Sequence, residues 1–295
     1  MYYDALRTFV AVVEEGNFTK AAEKRLISQP SVSVHIQNLE KEFETSLFVR
    51  SPKQLQLTST GELLYERAKQ ILQIYETAKE EIADHHSIQL ELKIGASFTI
   101  GEYVLPALLE KFCNQYPNSR LEVIIGNTNE IIEHVKLFHV DIGLIEGQCN
   151  EKNLTVVPFM KDELKIVASY NHPLSLITDM SIEQLQDQVW ITREKGSGTR
   201  AFLEHVVRSH ALKAKNIVSI SSTHGVKEAV IRNMGLSLLS EYAILREVEN
   251  HHLSVIPIKD EVFLRKFSYI YSSFGRNKKA TETFMQLLNE TEPNG

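Results

Sequence analysis

The chain has 295 residues, of which 43% are apolar and 24% charged, with a formal net charge of −6. That length admits about two domains, and the composition is that of an ordinary globular protein rather than a disordered or fibrous one. No apolar run approaches a membrane span, the N-terminus lacks an apolar signal core, and Cys113 and Cys149 show no metal or redox spacing, so a reduced cytoplasm with both thiols structural is the expectation.

At the N-terminus, Leu6, Phe9, Val10 and Val13 recur at helical spacing and predict a first helix ending near Gly16. Asn17 is placed to cap a second helix, in which Ala21 and Ala22 are small enough for a crossing helix to approach and Leu26 closes the buried face. Ser28 is placed to cap a third, with Gln29 and Pro30 in its first turn, where proline's missing donor costs nothing. Val32, Ile36, Leu39 and Phe43 form its apolar stripe, which leaves Gln29, Ser31, Ser33, His35 and Gln37 on the free face. Glutamine can pair with adenine, and small hydroxyls reach phosphates or base edges, so this face suits a major groove. Leu47 to Val49 and Leu55 to Leu57 then flank a hairpin whose tip carries Arg50 and Lys53, cations with phosphate or minor-groove reach.

A helical bundle with a polar solvent face shares this spacing. Charge does not separate the two, because residues 1–60 hold seven Lys/Arg and seven Asp/Glu, and no broad basic footprint is present. The ordered run Phe9, Gly16, Phe18, Thr19, Ala21-Ala22, Leu26, Ser28-Gln29-Pro30, Ser33, Ile36, Leu39-Glu40, Leu47-Phe48, Arg50, Leu57-Thr58 and Gly61 does. It resembles the winged helix-turn-helix of LysR-type transcriptional regulators. One departure is Glu44, where that family usually has glycine, so the end of the third helix is expected to be extended or differently capped. The resemblance implies a double-stranded DNA operator as partner, through Ser28, Gln29, Pro30, Ser31, Ser33, His35, Gln37, Arg50 and Lys53, with RNA polymerase a further partner.

From Leu64, the positions Ala68, Ile71, Tyr75, Ala78 and Ile82 advance by fours and threes. This is an a/d seam that predicts pairing with a second copy of the helix; packing on its own domain is the alternative. The composition changes near His85-His86, read as an exposed helix end rather than a metal site. The organisation expected is thus a DNA-binding domain at 1–61, a linker and dimerisation helix at 62–88, and an effector domain at 89–295.

Beyond residue 90, apolar runs at 90–96, 121–125, 141–145, 164–168, 188–192, 217–220, 236–240, 253–258 and 267–272 alternate mostly with helix-length segments, an α/β pattern. Two sheets are expected. The resemblance implies two Rossmann-like lobes like those of periplasmic binding proteins, with crossovers near 161–163 and 265–267: the first lobe 90–161 plus 267–295, the second 162–266. The fold class is α plus α/β, and a tetramer is implied.

Ligand chemistry collects where strands end and helices begin. Three such junctions stand out: Ser97-Phe98-Thr99; Gly196-Ser197-Gly198-Thr199-Arg200, where two glycines let the backbone wrap an anion at a helix start; and Ser221-Ser222-Thr223-His224-Gly225. Helix capping and tight turns are the plain alternatives at each. The run Asp141 to Glu146 supplies Ile145 and Glu146 as further candidates. Effector contact is therefore expected from Ser97, Phe98, Thr99, Glu146, Gly196, Ser197, Gly198, Thr199, Thr223 and His224, with no metal and no cofactor. The run 194–200 resembles the sulfur-assimilation and carbon-fixation branch of the family, which implies a small carboxylate or phosphate-like effector.

Gly196 to Ala201 also fits a G-x-G-x-x-A dinucleotide fingerprint, which would make the chain an NAD-dependent enzyme. Its context argues against that: three residues separate it from its strand, and Ser221-Ser222 stand where an acidic residue would hold a ribose hydroxyl. The pairs His134/His139 and His205/His210 are expected on different helical faces, and an effector-independent architectural DNA protein is the other competing class.

Overall fold

A computed structural model describes residues 2–49, 55–83, 90–177, 179–272 and 278–290. The chain forms two compact units, one built almost entirely from residues before 89 and the other from the remainder of the chain.

In the first unit, α1 (Tyr2–Glu15), α2 (Phe18–Arg25) and α3 (Gln29–Glu42) are followed by the hairpin β1 (Phe48–Val49) and β2 (Gln56–Leu57), then by α4 (Ser59–Ala83). The caps fall as predicted: the Asn17 side chain accepts from the N–H groups of Thr19 and Lys20, and Ser28 Oγ from that of Ser31. Phe9, Val12, Ala21 and Val32 are fully buried at the centre, and a buried side chain the size of Val or Phe stabilises by about 1.5–3 kcal/mol. Two predicted core positions are instead exposed. Leu26 is 92% accessible because α2 stops at Arg25 and Leu26 turns left-handed (φ 54°), which swings it outward and leaves Ile27 to pack. Phe43 is half exposed at the end of α3. The helix is not extended there: Glu44 itself takes the left-handed conformation (φ 49°), and the Thr45 N–H closes the turn on the Glu40 carbonyl at 3.0 Å. A glutamate thus holds the glycine conformation.

The predicted seam on α4 divides. Leu64 and Ala68 are buried in the core of their own unit, while Leu63, Ile71, Ile74 and Tyr75 are about half exposed. Tyr75 also lies against Tyr3, with ring centroids 4.3 Å apart. The free apolar stripe starts one residue earlier than the seam predicted from spacing, because the first turns of α4 complete the small DNA-binding core. Ile82 and His85-His86 lie outside the residues whose side chains are described.

The second unit contains β3 (Glu91–Ser97), a π-helical turn (Ile100–Val104), α5 (Leu105–Gln115), β4 (Arg120–Gly126), α6 (Thr128–Lys136), β5 (Ile142–Glu146), β6 (Leu154–Ser169), β7 (Val189–Thr192), α7 (Gly198–Ser209), β8 (Asn216–Ser219), α8 (Thr223–Ile231), β9 (Ser237–Ser240), α9 (Glu241–Glu249), β10 (Leu253–Val255), β11 (Phe263–Ser272) and α10 (Lys278–Asn289). Two sheets are present, as expected, but the larger one extends through both lobes. Among the described residues a seven-stranded sheet runs β10-β6-β11-β5-β3-β4 with β9 also on β6, and β7 and β8 form a two-stranded sheet that a bridge between Trp190 and Leu236 ties to the start of β9. The fusion arises because β6 is sixteen residues long rather than a short strand from 164; Lys161-Asp162-Glu163 interrupt its apolar pattern and conceal the continuity. β6 and β11 pair antiparallel along both lobes, with Asp162 directly opposite Arg265. One lobe has its core around Ile94, Phe112, Phe159 and Phe284, the other around Trp190, Leu203 and Leu236. The parallel strands β4, β3 and β5 end together, which brings Ser97, Gly126 and Glu146 to one edge facing the second lobe.

Candidate functional site

On the free face of α3, Ser28, Gln29, Pro30 and Gln37 are exposed, and Ser31 and Ser33 half-buried. Gln29 Nε2 donates to Ser33 Oγ at 3.1 Å, an i,i+4 bond that orients the amide along the helix. His35 points inward: Thr8 Oγ1 donates to the Asp4 carbonyl and therefore accepts from His35 Nδ1, at 2.9 Å. It holds α3 against α1, leaving only its other nitrogen for a groove. Arg50 and Lys53, at the hairpin tip, lie outside the described residues.

Between the lobes of the second unit lies a cavity of about 660 Å³, bordered by the starts of α6 and α7, the end of β5, and Lys195, Arg200 and Arg265. The sequence builds it from tight approaches. A methyl on Gly198 would stand 2.2 Å from the Glu146 carbonyl oxygen, and one on Gly196 would stand 2.9 Å from the Asn127 side chain. The Asn129 N–H donates to the Gly196 carbonyl at 3.2 Å. These glycines let the second-lobe loop lie directly on the first lobe. Ser197 caps α7 through its side chain, and the first N–H groups of a helix have no intrahelical acceptor and favour negative charge.

A buried ionic cluster forms one wall. Arg265 Nε donates to Asp162 Oδ2 at 2.6 Å and Nη1 to Thr199 Oγ1 at 3.0 Å, while Nη2 is 2.7 Å from Glu146 Oε2. Ser240 Oγ donates to Asp162 Oδ1 at 2.6 Å, and Thr199 Oγ1 lies 3.4 Å from Glu146 Oε1. Burial pushes Asp162 above the usual carboxylate range, opposed by Arg265 and reinforced by the charge of Glu146. Two carboxylates therefore share one guanidinium in a largely dry setting, where losing the guanidinium would strand both buried charges.

Further ties join the lobes. Arg193, almost fully buried, is held in a fork by Glu194, donates to Thr223 Oγ1 at 2.9 Å and lies 4.2 Å from the centroid of Phe98. Lys227 donates to the Ala243 carbonyl at 2.9 Å and to Glu247, and sits 5.0 Å from the Tyr103 ring centroid on the π-helical turn. A cation desolvated over an aromatic ring gains about 2 kcal/mol or more. Ser97 Oγ is buried without a hydrogen-bond partner among the described residues.

Residues 3–62 match the model of the bacterial regulatory helix-turn-helix protein, lysR family, and residues 85–292 that of the LysR substrate binding domain. The chain belongs to the LysR family of transcriptional regulators. It is 54% identical to the HTH-type transcriptional regulator CysL of Bacillus subtilis (strain 168) over 98% of this chain and 97% of the relative. It is 30% identical to the HTH-type transcriptional activator CmpR of Synechocystis sp. (strain ATCC 27184 / PCC 6803 / Kazusa), over 95% and 92%. Such relatives support the branch that the 194–200 run resembles. A similar fold is seen in the Synechocystis PCC6803 CcmR regulatory domain in complex with 2-PG, with a TM-score of 0.64 and 24% identity over 69% of this chain and 99% of that one.

In this LysR-type regulator, Ser97, Phe98, Thr99, Glu146, Gly196, Ser197, Gly198, Thr199 and Thr223 are placed at the facing edges of the lobes, whereas His224 is exposed on α8 beside Glu228. Ile145 is core. Sequence reasoning missed Asp162, Arg193, Ser240 and Arg265. The usable signal was a charge of each sign inside the two predicted crossovers, and charges within otherwise apolar strands need partners. The expected separation of His134 from His139 is also corrected: α6 ends at Lys136, the chain turns back, and the two Nδ1 atoms lie 3.1 Å apart. Cys113 is exposed rather than structural, while Cys149 packs against the first-lobe core. No helix of the described residues is long and apolar enough to cross a membrane.

Proposed function

We propose that this LysR-type regulator reads its operator with the start of α3 and changes that binding when a small anion enters the cavity between the lobes. The observation that carries the effector class is the convergence of two helix starts, α6 and α7, with Arg265, Arg200 and Lys195 around one cavity; aligned N–H donors and cations favour an anion. The 2-PG complex of the similarly folded CcmR domain agrees with this chemistry. Ser197, Thr199 and Thr128 supply hydroxyls, and Ser97 a buried one without a partner among the described residues. Pairing of two copies through the exposed stripe of α4, and of two such dimers into a tetramer, gives the half-site spacing that lobe closure alters, with RNA polymerase responding downstream in the cytoplasm.

No enzymatic role is proposed, because the Gly196–Ala201 loop serves as a contact between lobes and its relatives are named as regulators. The test is operator footprinting with and without a small anion identified by thermal shift. Ser197→Ala combined with Thr199→Val is expected to abolish the ligand-dependent footprint change while leaving affinity without ligand near wild type. Gln29→Ala is expected to lose about 1–3 kcal/mol of discrimination at one base position, and Lys53→Ala to weaken all DNA alike. A ligand-dependent footprint unchanged in the double variant removes the α7 loop from the switch.

A further inference from the structure

The α7 start already has an anion on it, and that anion belongs to the protein. Gly198 lies against the backbone and stem of Glu146, a methyl there meeting Glu146 Cγ at 2.9 Å, and the Glu146 carboxylate reaches Thr199 Oγ1 and Arg265. Both charged side chains are at least 96% buried, yet both line the cavity. Their contact is incomplete. Arg265 Nη2 and Glu146 Oε2 are 2.7 Å apart, but among the described residues neither has a partner with hydrogen-bond geometry, so a buried donor and a buried acceptor keep unused capacity beside an open cavity.

We infer that Glu146 is a resident competitor for the effector site, and that the effector is a doubly charged oxyanion which displaces the Glu146 carboxylate from Arg265 and Thr199. This rests on the anion reading above and deepens it by naming the ligand's charge. A free monoanion only remakes the bonds of a tethered carboxylate and must also meet the cost of association. A dianion gains a second charge facing Arg265 and the starts of α6 and α7. The displaced carboxylate stays in the cavity, where Lys195 is also on the wall. Because Glu146 ends β5 of one lobe while Thr199 opens α7 of the other, the exchange changes the bond that joins them.

The experiment is calorimetric titration of the full chain with sulfate, malonate and acetate, for wild type and Glu146→Gln. The amide keeps the shape and removes the charge. Apparent affinity falls with the fraction of molecules whose site is free, so the variant is expected to bind sulfate or malonate at least about tenfold more tightly and to bind acetate measurably. Sulfate alone points to a tetrahedral oxyanion, malonate alone to a dicarboxylate. Adding Arg265→Met is expected to erase the gain, and a gain that persists overturns the role of Arg265. Equal affinities in wild type and Glu146→Gln overturn the exchange and leave the anion site standing; no binding of any probe by either protein overturns both. If Glu146→Gln loses its native circular dichroism, Glu146→Asp, which withdraws the carboxylate by one methylene, is expected to show a smaller gain in the same direction, and no gain overturns the inference.

Discussion

Glu44 holds a left-handed turn that a side chain with Cβ resists, at roughly 1–2 kcal/mol, part of which glycine would forfeit through its freer unfolded chain. Glu44→Gly is therefore expected to stabilise the DNA-binding unit by about 0.5–1 kcal/mol. Slower hydrogen exchange of the Thr45 amide, which closes this turn on Glu40, is the check. Asp162 makes a prediction of the opposite kind. Its folded pKa is raised, by burial first, so the folded state holds the proton more tightly than the unfolded state does. The stability this contributes is complete below the unfolded value and is lost as pH rises through the folded one. Asp162→Asn leaves Arg265 paired with Glu146 alone and removes that loss. It is expected to melt higher than wild type at neutral pH, with the difference shrinking as pH falls. The only tryptophan, Trp190, is fully buried in the same unit and reports it by fluorescence; a lower melting temperature at neutral pH contradicts the argument.

Among the secondary-structure elements, α4 carries two tasks on two faces. Leu64 and Ala68 complete the DNA-binding core, and Leu63, Ile71 and Ile74 remain exposed, the stripe on which pairing with a second copy is proposed. Ile71→Asp places a charge in that pairing face and not in the core of its own unit. Light scattering is expected to show a smaller oligomer with helix content preserved, whereas an unchanged mass with intact operator affinity excludes α4 as the pairing element. The strands β6 and β11 are equally divided, each running through both lobes, and the directly opposed Asp162 and Arg265 mark where one lobe gives way to the other. Charges on a half-buried strand normally face water; here each meets its counter-charge across the ladder.

Across the effector unit as a whole, the lobes share the β6–β11 ladder, while their facing edges meet through small contacts rather than a shared apolar core: Glu146 with Thr199, Phe98 with Arg193, Tyr103 with Lys227, and the close passage of Gly198 over β5. Such contacts can be exchanged by a ligand, which shifts an equilibrium only by its difference in affinity for the two arrangements. Gly198→Ala places a methyl where only 2.2 Å is available to the Glu146 carbonyl, so the loop must lift from the first lobe. The expected outcome is a folded protein that binds operator, no longer lengthens or shortens its footprint with anion, and is cut faster by protease between 193 and 198. Retention of the full ligand response shows that lobe apposition at this point is dispensable.

The amino-acid sequence by itself determined the order of elements and the DNA-reading module. Caps such as Asn17 and Ser28 act over three residues, helix periodicity over a dozen, and these local preferences survive folding. It also determined which strand ends and helix starts contribute polar groups, because hydroxyls and glycines cluster at Ser97, Ser197 and Thr223. Tertiary structure alone decided what those groups meet. Leu26 and Phe43 sit where helical spacing predicts burial, but the backbone turns before the spacing can act. Asp162 and Arg265 are 103 residues apart and lie opposite each other only in the β6–β11 register. Whether the helix start at Ser197 faces solvent, a ligand or a resident carboxylate depends on the distance between two lobes, and no local pattern encodes that distance. Side-chain chemistry is local, whereas charge pairing, burial and competition for a site are set by what the whole chain brings within a few ångströms.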